Sequence, residues 1–240
     1  MCSIIRLEQL NQAYGKEMVL KNVQLQINKG EIYGLLGPSG SGKTTLVKTL
    51  IGALTPRNGL VQVDGVQMPN LKKLNDIGYM AQADALYDEL TANENLTFFA
   101  KLYQMQGSYR NKRITEVLEQ VDLLQDKDKR VENFSGGMKR RLSLGIALLH
   151  EPKILILDEP TVGIDPVLRN RIWDSFYKLK KSGVTVVITT HVMDEAEKCD
   201  RLGLLRNGSI LASGTPNSLK EQAGVETIEE AFLQLGSDQS

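Results

Sequence analysis

The residues best suited to chemistry begin at "GPSGSGKT", Gly37 to Thr44. Gly37, Gly40 and Gly42 let successive backbone N–H groups turn inward and form a concavity for an anion. The spacing GxxxxGK followed by Thr is the phosphate-loop pattern. A helix starting at its end adds partial positive charge at the same place. Pro38, Ser39 and Ser41 complete the loop, and Thr45 joins the same phosphate-binding set. Lys43 is placed to reach the β- and γ-phosphates of a nucleotide, and the Thr44 hydroxyl to bind Mg²⁺. The competing reading is an ordinary glycine-rich turn between a strand and a helix.

A pair of acids, Asp158-Glu159, closes the run "ILILDE". The C-terminal end of a buried strand is where ligands bind in open α/β sheets. Asp158 there would hold Mg²⁺ through water. Glu159 would orient or deprotonate the water that attacks a phosphate. Two acids capping a following turn is the simpler alternative.

A second candidate for phosphate lies far downstream. "NFSGGMKRR", Asn133 to Arg141, places a Ser and two glycines at a helix entrance and cations behind them. Glycine costs up to about 1 kcal/mol against Ala inside a helix. Two in a row point to a close approach to the backbone. Ser135, Gly136 and Gly137 therefore read as a second phosphate cradle in a chain that already has a better one. Lys139, Arg140 and Arg141 read as a solvated helix face.

The elements that must position these residues follow an α/β pattern. Short apolar strands alternate with helical stretches, as in a largely parallel sheet. "EIYGLLG" is a strand entering the first glycine loop, and "KTTLVKTLIGAL" is the helix after it. "KILILDEP" and "VTVVITTH" are apolar runs typical of strands buried on both faces. Antiparallel pairing is expected for "GLVQVDG" after the turn "TPRNG", and for a hairpin at Asn207-Gly208 in "RLGLLRNGSILASG". Between Ala83 and Phe134 the chain reads as helices, "TANENLTFFAKLYQMQ" and "RNKRITEVLEQVDLL", with "QDKDKRVEN" a solvated connection. The expected organisation is one domain over 1–240. An α/β core with an antiparallel β region takes 1–82 and 151–240, and an inserted helical subdomain takes 83–150 and ends in the Ser135 helix.

Composition narrows the class. Lys plus Arg is 29 and Asp plus Glu is 29, a net charge of zero, which argues against nucleic acid as a partner. Cys2 and Cys199 stand far apart with no metal-ligand spacing, as expected in a reducing cytosol. No apolar run approaches the ~18 residues of a membrane helix. "MCSIIRLEQL" carries no signal-peptide pattern, so a soluble cytoplasmic chain is expected.

Taken in order, these motifs resemble the ATP-binding subunit of ABC transporters, over nearly the whole chain. "GPSGSGKT" is similar to the family's Walker A motif, "ILILDE" to Walker B and "NFSGGMKRR" to the signature peculiar to it. Gln82 in "YMAQAD" matches the Q-loop, "GIDP" (Gly163 to Pro166) the D-loop, and His191 in "ITTHVMDEAE" the switch histidine. Tyr14 lies where the family stacks an aromatic on adenine. The resemblance implies ATP and Mg²⁺ as cofactors. It implies that Glu159, His191, Gln82 and Lys43 serve hydrolysis, and that Gln82 joins Thr44 and Asp158 around Mg²⁺. It further implies two subunits, alike or different, each laying its signature over the ATP held by the other. That would explain why one chain carries two phosphate motifs.

Where the commonest signature has Gln, this chain has Met138 with a basic run behind it, as the family's A-type and related multidrug exporters often do. The resemblance implies separate transmembrane permease subunits, an exporter-type partner, and a peripheral place on the cytoplasmic face of the membrane. The docking groove is expected around Gln82 and the inserted helices. The short tail "TIEEAFLQLGSDQS" leaves no room for the regulatory domain of many sugar importers. The alternative is a soluble ATPase of the same superfamily, such as one serving iron–sulfur assembly. His150 matches no motif and reads as structural.

Overall fold

The computed structural model describes residues 3–237. Met1 and Cys2, and with them part of the N-terminal reading, lie outside the described residues, as do the last three residues of the tail. In chain order the elements begin with β1 (Ser3–Tyr14), β2 (Glu17–Asn28), β3 (Ile32–Leu36), α1 (Lys43–Leu50), β4 (Asn58–Val63), β5 (Val66–Gln67) and β6 (Ile77–Met80). Three helices come next, α2 (Ala92–Leu102), α3 (Gly107–Gln120) and α4 (Gly136–Leu148). The chain then alternates through β7 (Ile154–Asp158), α5 (Pro166–Lys181), β8 (Thr185–Thr190) and α6 (Met193–Ala196). It closes with β9 (Arg201–Arg206), β10 (Ser209–Gly214), α7 (Pro216–Ala223) and α8 (Ile228–Ser237).

Two sheets result. One is antiparallel, in the order β2-β1-β4-β5; the other runs β10-β9-β3-β8-β7-β6. In the second, β9, β3, β8, β7 and β6 are parallel, and β10 returns antiparallel on the edge. Strands β3, β7 and β8 are buried along their whole length, which is why they read as unbroken apolar runs.

Alternation along each strand divides the core in two. In β7, Ile154 and Ile156 join β1, β2 and the α1 residues Leu46, Val47 and Leu50. Leu155 and Leu157 face the other way and join Leu96, Val117, Leu142, Leu144 and Trp173 from the helices. The apolar face of α2, α3 and α4 thus continues into the far face of the parallel sheet.

Several boundaries move from those expected. Helix α1 ends at Leu50 rather than running through "IGAL", because Gly52 turns out at φ 72°. A Cβ there would stand 2.9 Å from Pro69, so the turn favours glycine twice over. Helix α2 stops at Leu102, and Gln104 takes φ 59°. Its start is fixed by a capping box, in which Thr91 Oγ1 accepts from the Glu94 N–H and Glu94 accepts from the Thr91 N–H. The hairpin at Asn207-Gly208 forms with both residues at positive φ, as a two-residue primed turn requires. The two longest strands, β1 and β2, are a finding of the structure. Their pairing is broken by register shifts, with Gln9 and Asn22 at positive φ; β1 keeps no single period of two across the break, whereas β2 alternates cleanly from Val23 to Asn28.

The candidate phosphate site

The parallel sheet assembles the site by register. Leu36 pairs with Thr190, and Asp158 with Thr189, so β3, β7 and β8 end level with one another. The segments leaving these strands are therefore brought to one edge: the glycine loop after β3, Glu159 after β7, His191 after β8. This is the carboxyl edge where open α/β sheets bind ligands.

In the loop, Gly40 and Gly42 take φ 79° and 105°, and a Cβ on Gly40 would meet nothing within 4 Å. Open space at glycines in the left-handed region, at the start of α1, suits phosphate. Lys43 is buried and donates to the carbonyls of Gly37 at 2.7 Å and Pro38 at 3.1 Å. Pro38, Ser39 and Gly40 are exposed at the loop tip, Thr44 is half-buried, and Thr45 is buried in the first turn of α1. The buried Ser41 hydroxyl has no hydrogen-bond partner among the described residues.

Glu159 is the meeting point. Its Oε1 lies 3.5 Å from Lys43 Nζ and 3.2 Å from His191 Nδ1, and its Oε2 accepts from Gln82 Nε2 at 3.5 Å. Three residues scattered from position 43 to 191 thus converge on one carboxylate. Its backbone sits at φ 52°, a left-handed conformation uncommon for a residue with a side chain. The Glu159 N–H donates to Thr189 Oγ1 at 2.9 Å and helps hold it there.

Asp158 is wholly buried. Its Oδ1 accepts from Thr189 Oγ1 at 2.5 Å, while its buried Oδ2 has no partner among the described residues. A buried carboxylate oxygen without a donor is costly unless a cation or its water meets it, and oxygen ligands of this kind suit Mg²⁺. The donor set therefore fits the metal.

The second motif stands apart from this cluster. Ser135 is the N-cap of α4, its hydroxyl accepting from the Met138 N–H at 3.2 Å. Acting as acceptor, the hydroxyl keeps its proton for another group. A Cβ on Gly136 or Gly137 would meet nothing within 4 Å, so this helix entrance is open. No hydrogen bond or ion pair among the described residues joins Ser135, Gly136 or Gly137 to the glycine loop. The Met138 side chain is half-buried and packs on the helical core. Tyr14 ends β1 and is 49% exposed. Asp165 of "GIDP" caps α5, accepting from the N–H groups of Val167 and Leu168, with Pro166 at the first helical position.

One expectation is overturned. The basic run after Met138 is not a solvated face. Arg140 is only 6% exposed and donates to four backbone carbonyls, those of Ala81, Gln82, Asp158 and Glu159, at 2.5–2.9 Å. Lys139 pairs with Asp88 at 2.8 Å, and Arg141 caps the end of α3 through the Asp122 carbonyl at 2.5 Å. Helical spacing does not single out Arg140, because Lys139 with Leu142 and Ile146, and Arg141 with Leu144 and Leu148, stand in the same relation to apolar residues.

Two further groups were not anticipated. Thr189 ties Asp158 to the Glu159 backbone. The buried Glu195 accepts from Thr161, ahead of the "GIDP" turn, and from Thr190, next to His191. A Thr beside each motif gave no local signal of these partners. His150 is structural as expected, stacked on Tyr103 at 4.0 Å with Nε2 3.0 Å from the Ile77 carbonyl.

Comparison with known proteins agrees with the geometry. A family model described as "ABC transporter" matches residues 20–162. The "Linearmycin resistance ATP-binding protein LnrL" of Bacillus subtilis is 42% identical over 241 residues, 96% of this chain and 78% of that protein. The "Probable multidrug ABC transporter ATP-binding protein YbhF" of Escherichia coli is 40% identical over 243 residues, 98% of this chain but only 42% of its own length. Among solved structures, a dimeric post-hydrolysis state of an ATP-binding cassette bound to ADP and Pi superposes with TM-score 0.81 at 30% identity. It covers 88% of this chain and 98% of that one.

Proposed function

The chain belongs to the ABC transporter family of ATP-binding cassettes, and from that premise we propose that two such subunits close around two ATP molecules and drive separate permease subunits in the membrane. The chain is an ATP hydrolase of the P-loop α/β class. The observation that carries the hydrolytic reading is the single carboxylate of Glu159 held among Lys43, Gln82 and His191. No helix among the described residues is long and apolar enough to cross a membrane, so the permease is a separate chain or a separate segment.

Each residue then has a task. The loop from Gly37 to Thr45 cradles the phosphates, with Lys43 drawn toward the β- and γ-oxygens. Tyr14 stacks on the adenine ring. Thr44 and Asp158, with Gln82 beside them, would hold Mg²⁺, which when bound would supply positive charge to the phosphate oxygens. Glu159 orients the attacking water and accepts its proton. His191 fixes the carboxylate from one side and Gln82 from the other. Across the dimer, Ser135 and the N–H groups of Gly136 and Gly137 stabilise charge on the partner's γ-phosphate, aided by the α4 dipole.

For the permease, a groove of about 720 Å³ runs between the sheet and the inserted helices, lined by Ile51, Leu71, Leu74, Phe99, Leu102 and Tyr103. Leu71 and Leu102 are strongly exposed there. It borders Ala81, next to Gln82, so an apolar helix seated in it would sense the Gln82 loop. The names of the relatives favour an exporter, and Met138 with its basic run agrees. On this reading the chain works at the cytoplasmic face.

Capture of the tagged chain from membranes should bring a polytopic membrane protein with it. Leu102→Asp should release that protein while leaving ATP hydrolysis intact. Recovery of soluble partners alone would favour an assembly ATPase instead.

A further inference from the structure

Arg140 occupies a place no motif assigns to it. It rises from α4, three residues past the signature glycines, and its guanidinium lies buried between two strand ends. Nη1 donates to the carbonyls of Ala81 at 2.8 Å and Gln82 at 2.9 Å, just beyond β6. Nη2 donates to those of Asp158 at 2.5 Å and Glu159 at 2.6 Å, just beyond β7. Its nearest anion is Asp84, at 3.4 Å, which also accepts from Ser143 on α4.

The Glu159 backbone is pinned from both sides by these bonds. Its N–H goes to Thr189 and its C=O to Arg140. A left-handed φ persists only where the surroundings over-determine it; on the C=O side Arg140 makes the shorter bond, at 2.6 Å, and the Val162 N–H a longer one at 3.4 Å. The planar guanidinium, with donors in a fixed fork, suits four carbonyls as a flexible ammonium does not.

We propose that Arg140 is a positioning residue for hydrolysis: it sets the Glu159 carboxylate and the Gln82 loop in register, and ties both to the helix that carries the signature. The proposal rests on the ATPase reading above. The helix that reaches the partner's ATP is thereby fastened to the backbone of the residue whose carboxylate serves the chain's own ATP. A shift of α4 at one site is carried by one side chain to the hydrolytic residues of the other.

The test compares Arg140→Met and Arg140→Lys in the full chain. ATP affinity is read with a fluorescent ATP analogue, folding by thermal melting, and chemistry by kcat, KM and single-turnover hydrolysis. Misplacing a reacting group by about 1 Å costs on the order of 10²-fold. Arg140→Met should lower kcat by about that factor with KM and analogue affinity changed less than about threefold, and Arg140→Lys should recover part of it. In a Glu159→Gln background, Arg140→Met should lower the residual single-turnover rate by less than about threefold, since both changes act at one carboxylate. An unchanged kcat, a loss confined to KM, or the full loss persisting in the Glu159→Gln background would each overturn the proposal. Should Arg140→Met not melt cooperatively, Arg140→Lys carries the same comparison in both backgrounds. A wild-type chain without turnover would instead remove the ATPase reading, and the proposal with it.

Discussion

His191 Nδ1 lies 3.2 Å from Glu159 Oε1, although 32 positions separate the two residues. The parallel pairing of β7 with β8 brings them together, with Asp158 opposite Thr189. The carboxylate is thus held by a histidine on the neighbouring strand end.

Glu159→Gln tests that placement. The amide keeps the shape and a hydrogen-bonding oxygen but cannot take a proton. ATP binding should persist while steady-state hydrolysis falls by about 10²–10⁴-fold, the usual contribution of a positioned acid–base group. ATP should then hold two subunits together as a dimer visible by gel filtration. Turnover near the wild-type rate would take Glu159 out of the mechanism.

Met138→Gln should be mild. The Met138 N–H bonds to Ser135, and its side chain is half-buried on the helical core, so the phosphate-facing donors are backbone groups and Ser135. Hydrolysis should stay within about tenfold, or 1.4 kcal/mol of barrier. A larger fall would mean that the thioether contact sets the angle of α4.

Whose ATP the signature touches can be decided with mixed dimers of differently tagged chains. Lys43→Ala in one chain and Ser135→Arg in the other should leave one intact site if the signature acts across the interface. A doubly substituted chain paired with an unsubstituted one should leave none. Single-turnover hydrolysis reads the result, and activity in the second dimer only would sink the cross-subunit account.

His150 makes stability depend on pH. Burial, above all, holds its pKa below the usual value of 6.5. Arg113 pushes the same way, and the Ile77 carbonyl and Asp76 oppose. The folded state therefore binds this proton less readily than the unfolded one. The contribution is whole above pH ~6.5 and is lost as pH falls toward the lower folded value. His150→Phe keeps an aromatic surface for Tyr103 and should flatten the fall in melting temperature between pH 7 and 5.5. An unchanged slope would assign that fall to other groups.

The sequence by itself determined what short-range chemistry writes into short stretches. The glycines and Lys43 of the first loop, the apolar run ending in Asp158-Glu159, the Asn207-Gly208 turn and the Ser135 cap each need only neighbours a few positions away. The parallel sheet could be inferred because strands buried on both faces carry no polar alternation. What the tertiary structure alone decided is which distant groups meet. The register of β3, β7 and β8 brings Lys43, Glu159 and His191 to one edge, with Gln82 entering from the loop after β6. The packing of α4 turns Arg140 from an apparent surface cation into a buried clamp on two strand ends. Bulges break the period of two along β1. A residue's type fixes the bonds it can make, but a buried cation is tolerable only where carbonyls from elsewhere in the chain surround it, and only the packed fold supplies them.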